Sequence, residues 1–129
     1  MPGILREWAT DGMGDGAFMF GEYDPNISGE NIVLAASPDD DYPPAAVLGK
    51  VTATGIFAPL DPAANDGTQN FAGLLYGRRP KSANAQKATG VVRKQGVNGH
   101  SLVYMKAVTA PQRTAIEAQM AAAGIIVRY

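Results

Sequence analysis

The amino-acid sequence predicts an α+β fold, in which a small, compact, β-rich domain carries one C-terminal helix and a flexible N-terminal arm. Short β-type runs follow one another through the middle of the chain, and the 15 glycines and 9 prolines of the sequence favour frequent turns. One alanine-rich segment near the C-terminus has apolar residues at helical spacing. Residues 1–30 have neither helical nor alternating periodicity. We therefore expect an extended arm over residues 1–30 and a domain over residues 31–129.

The length and composition favour one globular domain. The chain has 129 residues, of which 46% are hydrophobic and 18% are charged. It has no cysteine, which excludes disulfides and thiolate chemistry. No apolar run reaches the roughly 20 residues that span a membrane, and the first residues lack the pattern of a signal peptide. We expect a soluble, non-secreted protein with no membrane partner.

The arm is distinguished by apolar residues that occur as islands among glycines. An exposed segment of this kind favours docking on a partner, and the alternative is that it packs on its own domain. The candidate contact residues of the arm are Ile4, Leu5, Trp8, Phe18, Met19 and Phe20.

The domain begins with a series of short predicted strands. Turn residues and prolines separate them, including the acidic, proline-rich loop at residues 37–44 and the basic loop at residues 78–87. The predicted strands cover residues 31–36, 46–53, 55–60, 70–76 and 88–94.

The C-terminal third is predicted to contain a hairpin, a helix and a closing strand. Asn98-Gly99 is a strong turn signal before residues 101–108, which predicts the hairpin. Thr109 is a candidate N-cap with Gln112 in capping-box spacing, and Gly124 is placed to end the helix. Residues 125–129 then form the closing strand.

Charge is distributed unevenly although the net charge is only −1. Residues 1–77 contain 2 basic and 11 acidic residues, whereas residues 78–129 contain 9 basic residues and Glu117. This asymmetry predicts either attraction between the two halves, within or between subunits, or a patch that binds nucleic acid. We favour the first, because the basic residues are scattered and are not interleaved with aromatic residues.

The sequence offers no constellation for catalysis, so we predict no enzyme, no cofactor and no metal site. His100 is the single histidine and follows a turn, which favours a surface position. Asp39, Asp40 and Asp41 are consecutive, and consecutive side chains of an extended segment point in alternate directions rather than toward one ion.

From about Asn26 to Tyr129 the chain resembles the bacteriophage head decoration proteins of the lambda protein D family. Residues 1–25 do not follow the family pattern, so the arm contacts named above rest on composition alone. The resemblance is carried by the order and spacing of residues 27–36, 47–55, 60–69, 72–76, 112–116 and 122–128.

The resemblance implies a homotrimer on the outer surface of the virion, made in the host cytoplasm. It implies that trimers bind the major capsid protein of the expanded head at three-fold and quasi-three-fold sites. There they would cement the shell against the pressure of packaged DNA. It also implies an arm that is flexible in the free protein and orders on the shell, with no direct contact to nucleic acid.

Two other functions are compatible with the sequence. A β-type module displayed on the particle could bind a receptor or a carbohydrate, since Gly- and Pro-rich β domains also serve that purpose. A subunit that binds nucleic acid would use the basic residues Arg78, Arg79, Lys81, Arg93 and Lys94.

Overall fold

The computed structural model describes residues 16–129, which form eight short strands and one α-helix. The helix α1 covers Ala110–Ala122, and a 3₁₀ turn covers Gly99–Ser101. The strands are β1 (Met19–Phe20), β2 (Gly29–Leu34), β3 (Val47–Lys50), β4 (Phe57–Pro59), β5 (Gly73–Leu75), β6 (Gln86–Val91), β7 (Gly96–Asn98) and β8 (Ile126–Arg128).

Five strands close into a barrel in the order β2-β4-β3-β5-β6. Most neighbours are antiparallel, and the longest ladder joins β2 to β6 over the whole length of β2. The barrel closes where β2 meets β4 in parallel through a single residue pair, Leu34 with Phe57. The seam between β2 and β4 is therefore the weakest ladder of the barrel.

Both faces of β3 and β5 are buried, which explains why these strands contain consecutive apolar residues. Leu48 and Leu75 belong to a core cluster inside the barrel, together with Leu34. Their neighbours Val47 and Leu74 belong to a second cluster outside it, because successive side chains of a strand point to opposite faces. The second cluster joins the barrel to the rest of the chain.

The other three strands form a small sheet in the order β1-β7-β8. Strand β1 is antiparallel to β7, and β8 is parallel to β7. The inward residue Val97 packs in the second cluster with Ile116 and Met120 of α1 and with the fully buried Phe18. The sheet and the helix together cover the outer side of the barrel.

The predicted helix is confirmed, and so is its capping. Thr109 is the N-cap: its Oγ1 accepts a hydrogen bond from the Gln112 N–H at 3.3 Å. The Gln112 side chain in turn accepts from the Thr109 N–H at 2.9 Å. Gly124 follows the helix with a φ of 82°, a left-handed conformation that glycine adopts without strain.

The predicted hairpin after Asn98-Gly99 is wrong. The Asn98 side chain accepts a hydrogen bond from the His100 N–H and so caps a 3₁₀ turn instead of forming a two-residue hairpin turn. Strand β7 already has β1 on one side and β8 on the other, which leaves no edge for residues 101–108. That segment forms one bridge, between Val103 and Ala46 of the barrel.

The fold class is confirmed, with most strands shorter than the sequence indicated and with two additional ones. Strand β1 lies in the predicted arm, and β7 lies between two predicted strands. Residues 16–30 pack on the body through Phe18 and through the pairing of β1 with β7. The packed part of the chain therefore includes residues 16–30.

Tyr104 brings a buried hydroxyl next to the second cluster. Its Oη is buried and has no hydrogen-bond partner among residues 16–129. The Arg113 guanidinium carbon lies 4.9 Å from the centre of its ring. Burial raises the pKa of Tyr104 to about 12, because the phenolate loses its hydration, and Arg113 opposes part of this rise.

We expect Tyr104→Phe to reduce the loss of stability at high pH. A pKa raised on folding gives stability that is present below the unfolded value of 10.0 and is lost as pH rises toward 12. The free energy of unfolding of the wild type should therefore fall more steeply over this interval than that of Tyr104→Phe, measured by urea unfolding at each pH. At pH 7 the variant should be as stable as the wild type or more stable, since it loses an unpaired buried hydroxyl. Identical slopes for both proteins would contradict this account.

Candidate functional site

The chain enters the described structure at Gly16, beside the ring of Tyr76. The Gly16 N–H donates to the Tyr76 carbonyl oxygen at 2.9 Å. Gly16 has a φ of 74°, and a Cβ on it would crowd the Tyr76 ring. Two residues later, Phe18 is 0% exposed and packs in the second core cluster. These contacts fix the position of Gly16, the first described residue, on the body.

Strand β1 is held to β7 by backbone and side-chain hydrogen bonds. The Asn98 N–H donates to the Phe18 carbonyl at 2.8 Å, and the buried Gln95 Nε2 donates to the Phe20 carbonyl at 2.9 Å. Asn98 is the last residue of β7 and Gln95 lies immediately before β7, so these two hydrogen bonds hold β1 to β7 at both ends of β1.

The outward face of the small sheet carries an exposed apolar patch. The register places Phe20 opposite Gly96, and Gly96 opposite Ile126. The Phe20 ring lies across Gly96, where any Cβ would overlap it. Phe20 is 40% exposed and Ile126 is 53% exposed, and the Arg128 guanidinium carbon lies 5.8 Å from the centre of the Phe20 ring. We call Phe20, Gly96, Ile126 and Arg128 the sheet patch.

The C-terminus lies at the same end of the small sheet as Gly16. Asn98 is bonded to Phe18 on one side and is paired with Arg128 on the other. Tyr129 is 63% exposed, and its hydroxyl bonds to Glu117 of α1, which raises the pKa of the Tyr129 hydroxyl. Phe18, the sheet patch and the last described residues are therefore joined through one small sheet.

The six residues predicted to be arm contacts differ in position and burial. Ile4, Leu5 and Trp8 lie outside the described residues. Phe18 is fully buried, Met19 is half-buried against the second cluster, and Phe20 belongs to the sheet patch. Ile126 joins them through strand pairing across more than 100 residues, and no local signal in the sequence indicates this.

The acidic and basic halves meet within the subunit at two ion pairs. Asp41 and Arg78 approach to 2.6 Å, and Glu30 and Arg93 approach to 2.9 Å. The Lys81 N–H and the Arg78 guanidinium bond to Asp41, which lowers the pKa of that carboxyl. Attraction between the halves within the subunit is confirmed by these pairs.

The basic residues that would bind nucleic acid lie on two separate segments of the chain. Arg79 donates to the backbone carbonyls of Lys87 and Arg78, and Lys81 follows on the same loop. Arg93 lies beside β2, paired with Glu30 as described, and Lys94 is next to the C-terminal end of α1, where its N–H donates to the Ala123 carbonyl.

Within residues 16–129, side chains of His, Asp and Glu form no group of three or more that could hold a metal ion. His100 is exposed and stands edge-on to Tyr129 with ring centres 5.0 Å apart. No helix in the described part of the chain is long and apolar enough to cross a bilayer.

Comparison with known proteins confirms the family resemblance noted in the sequence, and it corrects the expectation that residues 1–25 lie outside the family pattern, since the match begins at residue 9. A search of curated proteins found no match. The family model for the bacteriophage lambda head decoration protein D matches residues 9–125. This match covers both the sheet patch residue Phe20 and the whole barrel, and it stops just before Ile126. The chain thus belongs to the bacteriophage lambda head decoration protein D family, a family of structural capsid proteins.

Proposed function

We propose that this protein decorates the outside of an expanded phage head as a homotrimer and stabilises the shell against the pressure of packaged DNA. Its partner is the major capsid protein, bound at three-fold and quasi-three-fold sites, and it is made in the host cytoplasm before joining the virion. The protein catalyses no reaction, uses no cofactor and makes no direct contact with nucleic acid. The observation that carries this proposal is the family match over residues 9–125.

The contact with the shell is made by residues 1–15 and the sheet patch together. Residues 1–15 contain Ile4, Leu5 and Trp8 and precede, in the sequence, the strand that carries exposed Phe20. An apolar surface that continues from a fixed body into an apolar terminal segment supports one extended interface. Because Phe18 is part of the core, the arm that reaches the shell lies within residues 1–15.

A trimer strengthens weak contacts by presenting three copies of them at once. After the first arm docks, the other two are held near their sites at high effective concentration. The rigid anchor at Gly16 and Phe18 adds to this effect, because it fixes where each arm starts and limits the freedom that docking must remove.

We expect deletion of residues 2–15 to abolish binding to expanded heads while leaving the domain folded. The deletion removes Ile4, Leu5 and Trp8 but keeps Gly16, Phe18 and β1, so the core described above stays intact. Binding is measured by co-sedimentation with expanded empty heads, and folding by circular dichroism and thermal unfolding. Head binding equal to that of the full chain would contradict the role of the arm.

Substitutions in the sheet patch test the second part of the interface. We expect Phe20→Ser and Ile126→Ser each to weaken head binding about tenfold or more, since burying such a side chain contributes about 1.5–3 kcal/mol. The matched control is Ile27→Ser, because Ile27 is 48% exposed and lies outside the patch. Calorimetric titration of heads should separate the patch variants from the control. Equal affinities for all three variants would show that the patch does not touch the shell.

A further inference from the structure

The seam of the barrel leaves part of one edge of β2 without a strand partner. The Val92 N–H donates to the Ser28 carbonyl, at the start of the antiparallel ladder between β2 and β6. Because hydrogen-bonded pairs alternate along such a ladder, the even-numbered residues of β2 direct their N–H and C=O groups toward β6. The odd-numbered residues face β4, where Ala35 N–H donates to the Phe57 carbonyl at 2.7 Å. The ladder between β2 and β4 consists of the single pair Leu34 and Phe57. Asn31 therefore has no residue of β4 opposite it. An unpaired edge of this kind is a template for contact with another chain.

A groove of about 430 Å³ runs along this unpaired edge. Its apolar wall is formed by Ile32, Phe57, Ala72 and Val92. Its rim carries three charged residues, Glu30, Lys50 and Arg93.

The rim of the groove has an excess of positive charge. Glu30 and Arg93 form the ion pair described above and neutralise one another. The Lys50 ammonium stands 5.7 Å from the centre of the Phe57 ring and is paired with no carboxylate among residues 16–129. The groove therefore fits a segment that brings a negative charge to Lys50.

The acidic loop of the same chain has the complementary properties. Asp39 and Asp40 are exposed and form no ion pair within residues 16–129. Ser37 and Ser82 exchange two backbone hydrogen bonds of 2.9 Å on one side of this loop. On the other side Asp41 is bound to Arg78 and to the Lys81 N–H.

These contacts restrain the loop on both sides of Asp39 and Asp40. Preorganisation lowers the conformational cost of binding, because little freedom is left to lose. The Ser37 hydroxyl also donates to the Asp40 carbonyl at 2.7 Å and fixes the backbone between the two carboxylates. The loop lines a different cavity, together with Met105 and Lys106, and none of its residues lines the groove along β2, so the groove that it would meet is on another copy.

We propose that the groove of one copy binds the Asp39-Asp40 loop of the next copy, and that this contact holds the trimer together. The inference rests on the proposed function, which includes a trimer. A contact between two different surfaces is heterologous, and three such contacts close a ring in which each copy supplies one loop and one groove. Lys50 meets the carboxylates of the loop, and the apolar wall receives Pro38.

The test is a charge exchange read out by molecular mass. Lys50→Glu places a carboxylate opposite Asp39 and Asp40, and the loop variant Asp39→Lys with Asp40→Lys places two ammonium groups opposite Lys50. Each should raise the dissociation constant of the trimer about tenfold or more, measured by light scattering over a range of concentrations. Combining Lys50→Glu with the loop variant restores attraction and should recover the trimer. Higher salt should weaken the wild-type trimer.

The matched control is Lys87→Glu, which reverses an exposed lysine on β6 outside the groove and should leave the trimer unchanged. Recovery of the trimer by the combined variant separates a lost contact from a failure to fold. A trimer that is insensitive to both changes, a combined variant that stays dissociated, or a monomeric wild type would overturn the groove contact. Binding of the wild type to expanded heads is measured separately, so that the decoration role stands or falls on its own result.

Discussion

The burial of Phe18 is the contact on which the arrangement of this protein depends. Its side chain fills a core between the barrel, α1 and the small sheet, and the chain reaches that core only eighteen residues from its start. The core thereby anchors β1, and the bond from Gly16 to Tyr76 fixes the position of the first described residue.

The small sheet packs on the helix with one face and exposes apolar side chains on the other. Val97 faces inward and holds the sheet to the helix, while Phe20 and Ile126 face outward and leave apolar surface uncovered. Gly96 makes this possible, since it lets the Phe20 ring lie flat across the central strand. The same strands therefore stabilise the body and present an exposed apolar surface. A structural protein of the capsid needs such a surface and a stable scaffold behind it.

Local signals in the sequence predicted the parts of the fold that local interactions determine. The helix and its cap depend on Thr109, Gln112 and Gly124, all within one segment, so they were predicted correctly. Strands β1 and β7 are two and three residues long and exist because distant segments pair with them, which no periodicity shows. The hairpin prediction failed for the same reason: β7 is a central strand, and its neighbours come from the two ends of the chain.

The candidate site was predictable only in part. Apolar residues among glycines indicated a contact segment, and Phe20 is exposed as expected. Phe18 has the same local setting but is buried, because it precedes β1 and packs in the second cluster with residues of the barrel and of α1. Ile126 and the groove along β2 depend on strand register, so they become visible only in three dimensions. The family resemblance, carried by the order of many short segments, indicated the function that single residues did not.

The most direct test of the decoration account is a cryo-electron microscopy reconstruction of expanded heads saturated with this protein. The account predicts continuous density from Gly16 through residues 1–15 against the capsid protein, with Phe20 and Ile126 facing the shell at three-fold and quasi-three-fold positions. A reconstruction in which the small sheet faces the solvent, and residues 1–15 do not touch the shell, would contradict it.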